Sequence, residues 1–432
     1  MIKSNTLLLL LSLSLTTSAS LHAKTDVESA QANAKQAFSY QDAVRRAIEY
    51  APELDHLKRR LDSAEGQIEQ ASLRPNPVLG AEFENILGTG RFDDFESLET
   101  TIALRQKILT ADKRELRTDL ASRRRDELFW RRAVFVTKLE SSVREAFSVA
   151  LVASKRAELR REQLRLSKES LQATQKLVEA ARSPEVELER ARLAVSRHRV
   201  ALQEAERRLR AAKSKLSAWW GEPNADISLK GALKMPETIP TFSSLLKQLP
   251  DSAQLARFEA LRETREAALE LEKAKATPNF EVFAAGQQFR EGDGERAFTF
   301  GVDVPLPLFD RNQGNIRSAR ADLRAVRSER HTVRQNLMQR LNRAYKQLSN
   351  AYEVANSSKT DLLPRARRTL KATNKGYQRG QYTQLAVLES RAALFEVRQR
   401  YLQALGEHAQ AQATIESLTK PANIELHRKN TQ

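Results

Sequence analysis

The chain of 432 residues contains no cysteine. That excludes disulfides, thiolate metal centres, cysteine nucleophiles and an acylated N-terminal Cys, and leaves stability to packing and assembly. Glycine and proline are scarce, at 14 and 13 residues, too few for the turns of two or three ordinary domains. Long helices are the expected use of the length, since Ala, Leu, Glu, Arg and Gln fill long stretches with no proline. Long apolar runs are also missing. The stretch from Thr6 to Leu15 falls well short of the roughly 20 residues a membrane-crossing helix needs. With Lys3 before it and the small residues Ser18 to Ala23 after it, it reads as a secretory signal over 1–23.

Catalytic patterns are lacking as well. The six histidines, His22, His56, His198, His331, His408 and His427, show no metal-ligand spacing and read as surface or packing residues. Gly88-Thr89-Gly90 lacks the third glycine of a dinucleotide loop and reads as turn chemistry. No enzyme activity, cofactor or resident metal is expected. The net charge of +17 raises the possibility of nucleic acid. However, Arg and Lys sit beside Glu in stretches such as Arg156 to Arg165 and Glu204 to Arg210, as on a solvated coiled-coil face, and the signal segment points away from nucleic acid.

What the sequence does contain is a duplication. Arg74-Pro75-Asn76-Pro77 has a counterpart at Thr277-Pro278-Asn279-Phe280. Each is followed by an alternating stretch, a polar loop with glycine, a second alternating stretch and a long helical region. Pro75 aligns with Pro278, Ile102 with Val302, and Leu188-Glu189 with Leu388-Glu389. A seven-residue beat runs through Val136, Val143, Ala150, Ala157, Leu164, Leu171 and Val178, with Leu139, Ala146 and Ala153 beside it. It breaks at Arg182-Ser183-Pro184 and resumes as Leu188, Val195, Leu202, Leu209 and Leu216. The second copy answers with Leu341, Leu348, Ala355 and Leu362, a break near Gly376 to Gly380, and then Leu388, Phe395, Leu402 and Ala409. Each copy is therefore predicted to hold an antiparallel helical hairpin, with a first helix over Asp112 to Ala181.

Four shorter segments alternate with a period of two. They are Leu79, Ala81, Phe83; Ile102, Leu104; Phe280 to Gln288; and Phe298, Phe300, Val302, Val304. Their length suits tilted strands crossing a bilayer. Four strands cannot close a barrel, and lipid does not tolerate an open edge, so the membrane reading requires several chains to share one barrel. The alternative is a small soluble sheet.

Several motifs are long enough to carry a family resemblance. Arg74 to Leu79, Glu82-Phe83-Glu84-Asn85 with Gly88-Thr89-Gly90, Glu99 to Leu104, Lys113-Arg114, and Pro305 to Gly314 resemble the outer-membrane factor family typified by TolC. The first group is most similar to its CzcC-like branch, which serves cobalt-zinc-cadmium resistance pumps. Gln106-Lys107 departs from the Gln-Pro usual there. The resemblance implies an α+β membrane protein in which four strands per chain join a trimeric twelve-stranded barrel above a periplasmic coiled-coil tunnel. The residue patterns above divide the chain into a signal peptide at 1–23, a first repeat at 24–220, a connector at 221–240, a second repeat at 241–420 and a polar tail at 421–432.

By the same resemblance, Tyr377 and Glu389 belong to the channel aperture, with Ala386 and Tyr382 replacing an acidic and a basic residue of the family's gate. Arg182, Ser183 and Pro184 with Gly380, Gln381 and Tyr382 form adaptor-docking tips. The implied partners are two further copies of the chain, outer-membrane lipid, a periplasmic adaptor (membrane fusion protein) and an inner-membrane RND pump, with no nucleic acid. The implied location is the outer membrane with a periplasmic tunnel. The implied function is passive export of divalent cations such as cobalt, zinc and cadmium. A duct for drugs or for type I protein secretion, and a periplasmic coiled-coil scaffold or adaptor, stay open as alternatives.

Overall fold

The structure, a computed structural model, describes residues 37–421 except 87, 94, 96 and 291–293. The expected signal segment and residues 422–432 of the tail lie outside the described residues. In chain order β1 (Ala37–Phe38), α1 (Tyr40–Tyr50) and α2 (Pro52–Ser72) lead into the hairpin of β2 (Val78–Glu84) and β3 (Glu99–Ile108). Then come α3 (Lys113–Glu179), α4 (Glu185–Ser217), β4 (Ser228–Leu229), α5 (Phe242–Gln248) and α6 (Ala253–Lys275). A second hairpin, β5 (Phe280–Phe289) and β6 (Arg296–Asp303), precedes α7 (Gln313–Ser357), a π turn at Ser358–Leu362, α8 (Leu363–Gln378) and α9 (Gln384–Thr419). With 67 residues, α3 is about 100 Å long. Among the described residues no helix is long and apolar enough to cross a membrane.

The chain divides into two compact units. One comprises Ala51–Ser141, Thr238–Ser349 and the residues from Ala411 on. It holds an antiparallel sheet in the order β2-β3-β5-β6, in which β3 pairs with β5 from Glu99↔Phe289 to Ile108↔Phe280. The helices that feed the strands keep the strand order. α2 meets α3 through Glu65 and Arg125 at 3.2 Å. α3 meets α6 through Leu120, Ala267 and Leu271 and through Arg123 and Glu263 at 2.8 Å. α6 meets α7 in the core of Phe258, Val326, Leu337 and Leu341, which Leu245 and Leu249 close from the α5 segment and Ile415 and Leu418 from α9.

Two junctions fix the step from strand to helix. At the first, Lys113 Nζ donates to Asn279 Oδ1 at 2.6 Å, to Thr110 Oγ1 at 3.1 Å and to the Thr277 carbonyl, while Thr110 Oγ1 donates to the Pro278 carbonyl at 2.7 Å. Burial, with Lys107 nearby, lowers the Lys113 ammonium pKa below its ordinary value. The Lys113 motif of one repeat is thus tied to the Thr277-Pro278-Asn279 motif of the other. At the second junction Asn312 takes up a left-handed conformation (φ 57°), which asparagine tolerates, and donates to the Glu272 carbonyl and carboxylate at 2.7 Å. Where the family has Gln-Pro, β3 simply runs on to Ile108, and Gln106 Nε2 donates to the Pro75 carbonyl at 3.1 Å.

The other unit comprises Ser142–Glu237 and Asn350–Gln410 with the residues up to Tyr50. The predicted seam of α3 is buried at Val143, Ala150, Ala157 and Leu164 and half-buried at Leu171 and Val178. In α9 the seam lies one residue earlier than the sequence suggests. Val387 and Leu394 are buried where Leu388 was expected to begin the series, His408 is buried instead of Ala409, and Phe395 is buried in both readings. α7 and α8 were expected as one continuous helix. Pro364, near the start of α8, has no N–H and crowds the carbonyl four residues back, and the π turn before it absorbs both effects. A small pairing escaped the sequence altogether. β1 runs parallel to β4, and Phe38 stacks on Trp220 with ring centroids 5.8 Å apart.

Candidate functional site

Sheet register sorts the strand residues into two faces. On one lie Leu79, Ala81 and Phe83, then Ile102 and Leu104, then Val282, Ala284 and Gly286, then Phe298, Phe300 and Val302, neighbours across the pairs Leu79↔Leu104, Leu104↔Ala284 and Ala284↔Phe300. This apolar face is uncovered: Phe298 is 78% and Phe300 79% exposed. Exposed Val304, Leu306, Leu308 and Phe309 continue it beyond β6. A contiguous exposed apolar surface of this kind marks contact with lipid or protein.

The opposite face carries Glu82, Glu84, Glu99, Arg105, Lys107, Glu281 and Asp303. Arg105 lies 3.7 Å from Glu281 and 3.9 Å from Asp303, with its guanidinium 5.1 Å from the centre of the Phe283 ring. Gly301, paired with Phe283, leaves the space that ring occupies, since a Cβ there would collide with it. The strands are 7, 10, 10 and 8 residues long. Among the described residues the outer rails of β2 and β6 have no strand partner.

The second candidate region is the pair of helix reversals. α3 ends with Arg182 N–H donating to the Leu177 carbonyl at 2.8 Å around a left-handed Ala181 (φ 57°). α8 ends with Gln381 N–H donating to the Gly376 carbonyl at 2.8 Å around a left-handed Gly380 (φ 72°). These are the same helix stop, built with alanine in one copy and glycine in the other. Alanine in that conformation costs about 1–2 kcal/mol that glycine avoids. The following helices start differently. Pro184 precedes α4 without a side-chain cap, whereas Thr383 Oγ1 accepts the Ala386 N–H at 3.3 Å.

Superposing the two stops matches Ala181 with Gly380, Pro184 with Thr383 and buried Leu188 with buried Val387. Leu188-Glu189 therefore aligns with Val387-Leu388, and the alignment with Leu388-Glu389 is one residue out. Val387 and Leu388 are both apolar, as are Leu394 and Phe395, so periodicity alone does not choose between them. The left-handed residue does.

The predicted residues fall as follows. Arg182, Pro184, Gly380, Gln381 and Tyr382 are exposed on the two reversals, with Ser183 half-buried. The Tyr382 ring lies against Gly376, where a side chain would strike it. Tyr377 is exposed in the last turn of α8. Glu389 is exposed and stands about 200° around α9 from buried Val387, so it faces away from the seam of its own hairpin. One tie was not legible in sequence. Gln384 Nε2 donates to Thr174 Oγ1 at 2.6 Å, linking the start of α9 to α3. Thr174 is almost fully buried. Higher up, Arg398 meets Glu162 at 3.1 Å and Arg160 meets Gln399 at 2.8 Å. Among the described residues no group of three or more metal-ligating side chains is gathered.

Comparison with known proteins places these features. The family described as outer membrane efflux protein matches residues 43–222 and 246–419. The chain is similar to the cobalt-zinc-cadmium resistance protein CzcC of Cupriavidus metallidurans, with 30% identity over 83% of this chain and 84% of that protein. It is similar to the nickel-cobalt-cadmium resistance protein NccC of Alcaligenes xylosoxydans, with 23% identity over 70% and 68%. The outer membrane protein VceC of Vibrio cholerae shares the fold at a TM-score of 0.70 and 15% identity, over 89% of this chain and 97% of that one.

Proposed function

Because this chain belongs to the outer membrane efflux protein family, we propose that it is the outer-membrane channel of a tripartite pump that exports divalent metal cations. The observation that carries the reading is the apolar strand face on a sheet with two open rails. Lipid accepts the face but not the rails, so the strands of neighbouring copies must close a barrel. Three copies give the twelve strands that the resemblance implies. The polar face of each sheet then lines water, and its Glu82, Glu84, Glu99, Glu281 and Asp303 favour cations there. The chain supplies a path and no chemistry; the pump supplies the energy.

The two reversals are the docking points for a periplasmic adaptor, and the adaptor joins them to an inner-membrane RND pump. Rigid helices that present short loops suit such recognition. Opening follows when the adaptor binds the open arrangement better than the closed one. The metal cargo rests on the similarity to CzcC.

A strain without the gene tests the cargo. Growth is expected to fail at zinc, cobalt or cadmium concentrations that the parent tolerates, and to be unaffected by hydrophobic drugs. Sensitivity to drugs alone would keep the channel and overturn the cargo. Glu389, repeated around the axis, forms a carboxylate ring at the aperture in this reading. Glu389→Ala is expected to lower cation selectivity and divalent block in single-channel recordings. Unchanged selectivity would remove Glu389 from the aperture.

A further inference from the structure

The net charge of +17 is concentrated in α7 and its approach. Between Arg311 and Lys346 there are ten Arg and Lys against two Asp and Glu, a net of +8. The pairing of Arg with Glu seen along the other helices fails here. Among the described residues the only ion pair on α7 is Glu329 with Arg257, at 4.0 Å. The core side of α7 is Val326, Leu337, Leu341, Ala344 and Leu348. Arg317, Arg324 and His331, spaced by seven and all exposed, share the face turned away from that core, with small, exposed Ala321, Ala325 and Ser328 beside them.

An acidic counterpart lies at the other edge of the same unit. α2 buries Leu54, Leu61 and Ala64 and meets α3 through Glu65. Glu69, Asp62 and Asp55, again spaced by seven and exposed, form a stripe about 110° around α2 from those buried residues, with small Gly66 beside it and exposed Lys58 and Arg59 at its flanks. Among the described residues Asp62 and Glu69 have no ion pair, and Asp55 has only Arg59 of its own helix, at 3.7 Å.

The layer explains why these two faces exist. Strands run β2-β3-β5-β6, and the helices follow as α2-α3-α6-α7, so α2 and α7 stand at opposite edges beside the two unpaired rails. When rail β6 of one copy pairs with rail β2 of the next, the alternation of strand directions makes the pair antiparallel. α2 of the second copy then runs antiparallel beside α7 of the first. α2 ends six residues before Val78, and α7 begins ten residues after Asp303, so both helices end at the sheet. Counting away from it, Glu69 falls level with Arg317, Asp62 with Arg324 and Asp55 with His331, to within a turn.

We propose that the Arg317/Arg324/His331 face of α7 is a docking surface for the Glu69/Asp62/Asp55 face of α2 in a second copy of this chain, setting the order and register in which copies join. The small residues let the helices approach while the charges choose the partner. α7 is too basic to pair with another α7, and like charges do the same for two α2 helices. The surface thus permits head-to-tail rings and opposes back-to-back dimers.

The inference rests on the shared-barrel reading, and the test separates the two. With no native cysteine, Asp62→Cys with Arg324→Cys gives one possible bridge per interface. Full-length protein in outer-membrane vesicles is treated with a short bis-maleimide and run under denaturing conditions, alongside native mass measurement of untreated protein. The expected result is a ladder of covalent dimer and trimer from the double variant only. Native trimers without a ladder would overturn the α2–α7 contact and leave the shared barrel standing; native monomers would overturn both. A charge swap covers the case in which the cysteine variant fails to assemble. Arg324→Asp alone is expected to lose most of the heat-resistant trimer, and adding Asp62→Arg to restore it. A single variant as heat-resistant as the parent would overturn the pairing.

Discussion

Phe300→Arg is expected to remove the protein from the outer-membrane fraction as an assembled channel, whereas Thr299→Arg, one residue away, is expected to leave it in place. The two positions point to opposite faces of β6, and Phe300 lies on the apolar face beside Ala284. A guanidinium on the lipid side of a barrel strand costs about 2–4 kcal/mol near the bilayer midplane. Three copies raise that to about 6–12 kcal/mol per trimer, as much as the net stability of many folded proteins. An arginine at Thr299 faces the water-filled side and keeps its hydration. Outer-membrane fractionation and a heat-modifiable trimer band read the difference. Equal assembly of both variants would mean that the apolar face is not in lipid.

The contrast between neighbouring residues shows why the strands were legible in sequence. A face that meets lipid and a face that meets water impose strict alternation, and Phe298, Thr299, Phe300, Gly301 and Val302 keep it. The helical hairpins were legible for a related reason, because a seam repeated over many turns leaves a beat that no loop interrupts. Register at the second reversal was not. Two adjacent apolar residues in each of the first two heptads of α9, Val387-Leu388 and Leu394-Phe395, fit the seam equally well, and backbone conformation at Gly380 decides between them. The Lys113 clamp and the Gln384–Thr174 tie join residues far apart in sequence through one or two polar atoms, which leave no periodic trace. The α2 and α7 charge faces were hidden by reading the basic residues as pairs within a helix. That holds for α3 and fails for α7, whose arginines have no acidic residue three or four positions away.

The same chain should lose stability in acid because of a histidine in a helix seam. His408 lies a heptad beyond Tyr401 and two beyond Leu394, only 4% exposed, with no hydrogen-bond partner for Nε2. Burial lowers its pKa below the ordinary 6.5. As pH falls through that value the unfolded imidazole takes up a proton while the folded one stays neutral, so the unfolded chain binds more protons. Stability is therefore complete above the unfolded pKa and declines as pH drops below it, until the lowered folded pKa is reached. Each such histidine contributes at most about 1.4 kcal/mol per pH unit in that window, or about 4 kcal/mol per trimer. His198 adds in the same direction, through burial first and then the nearby Arg160 and Arg197. The thermal midpoint of the purified channel is expected to hold from about pH 8 to about pH 7 and to fall steadily toward about pH 5. His408→Leu keeps the seam apolar and is expected to remove the larger share of that fall while preserving the midpoint at the alkaline end. If the variant retains the full acid dependence, the responsible group lies elsewhere, and the carboxylates of the helix ladders become the candidates.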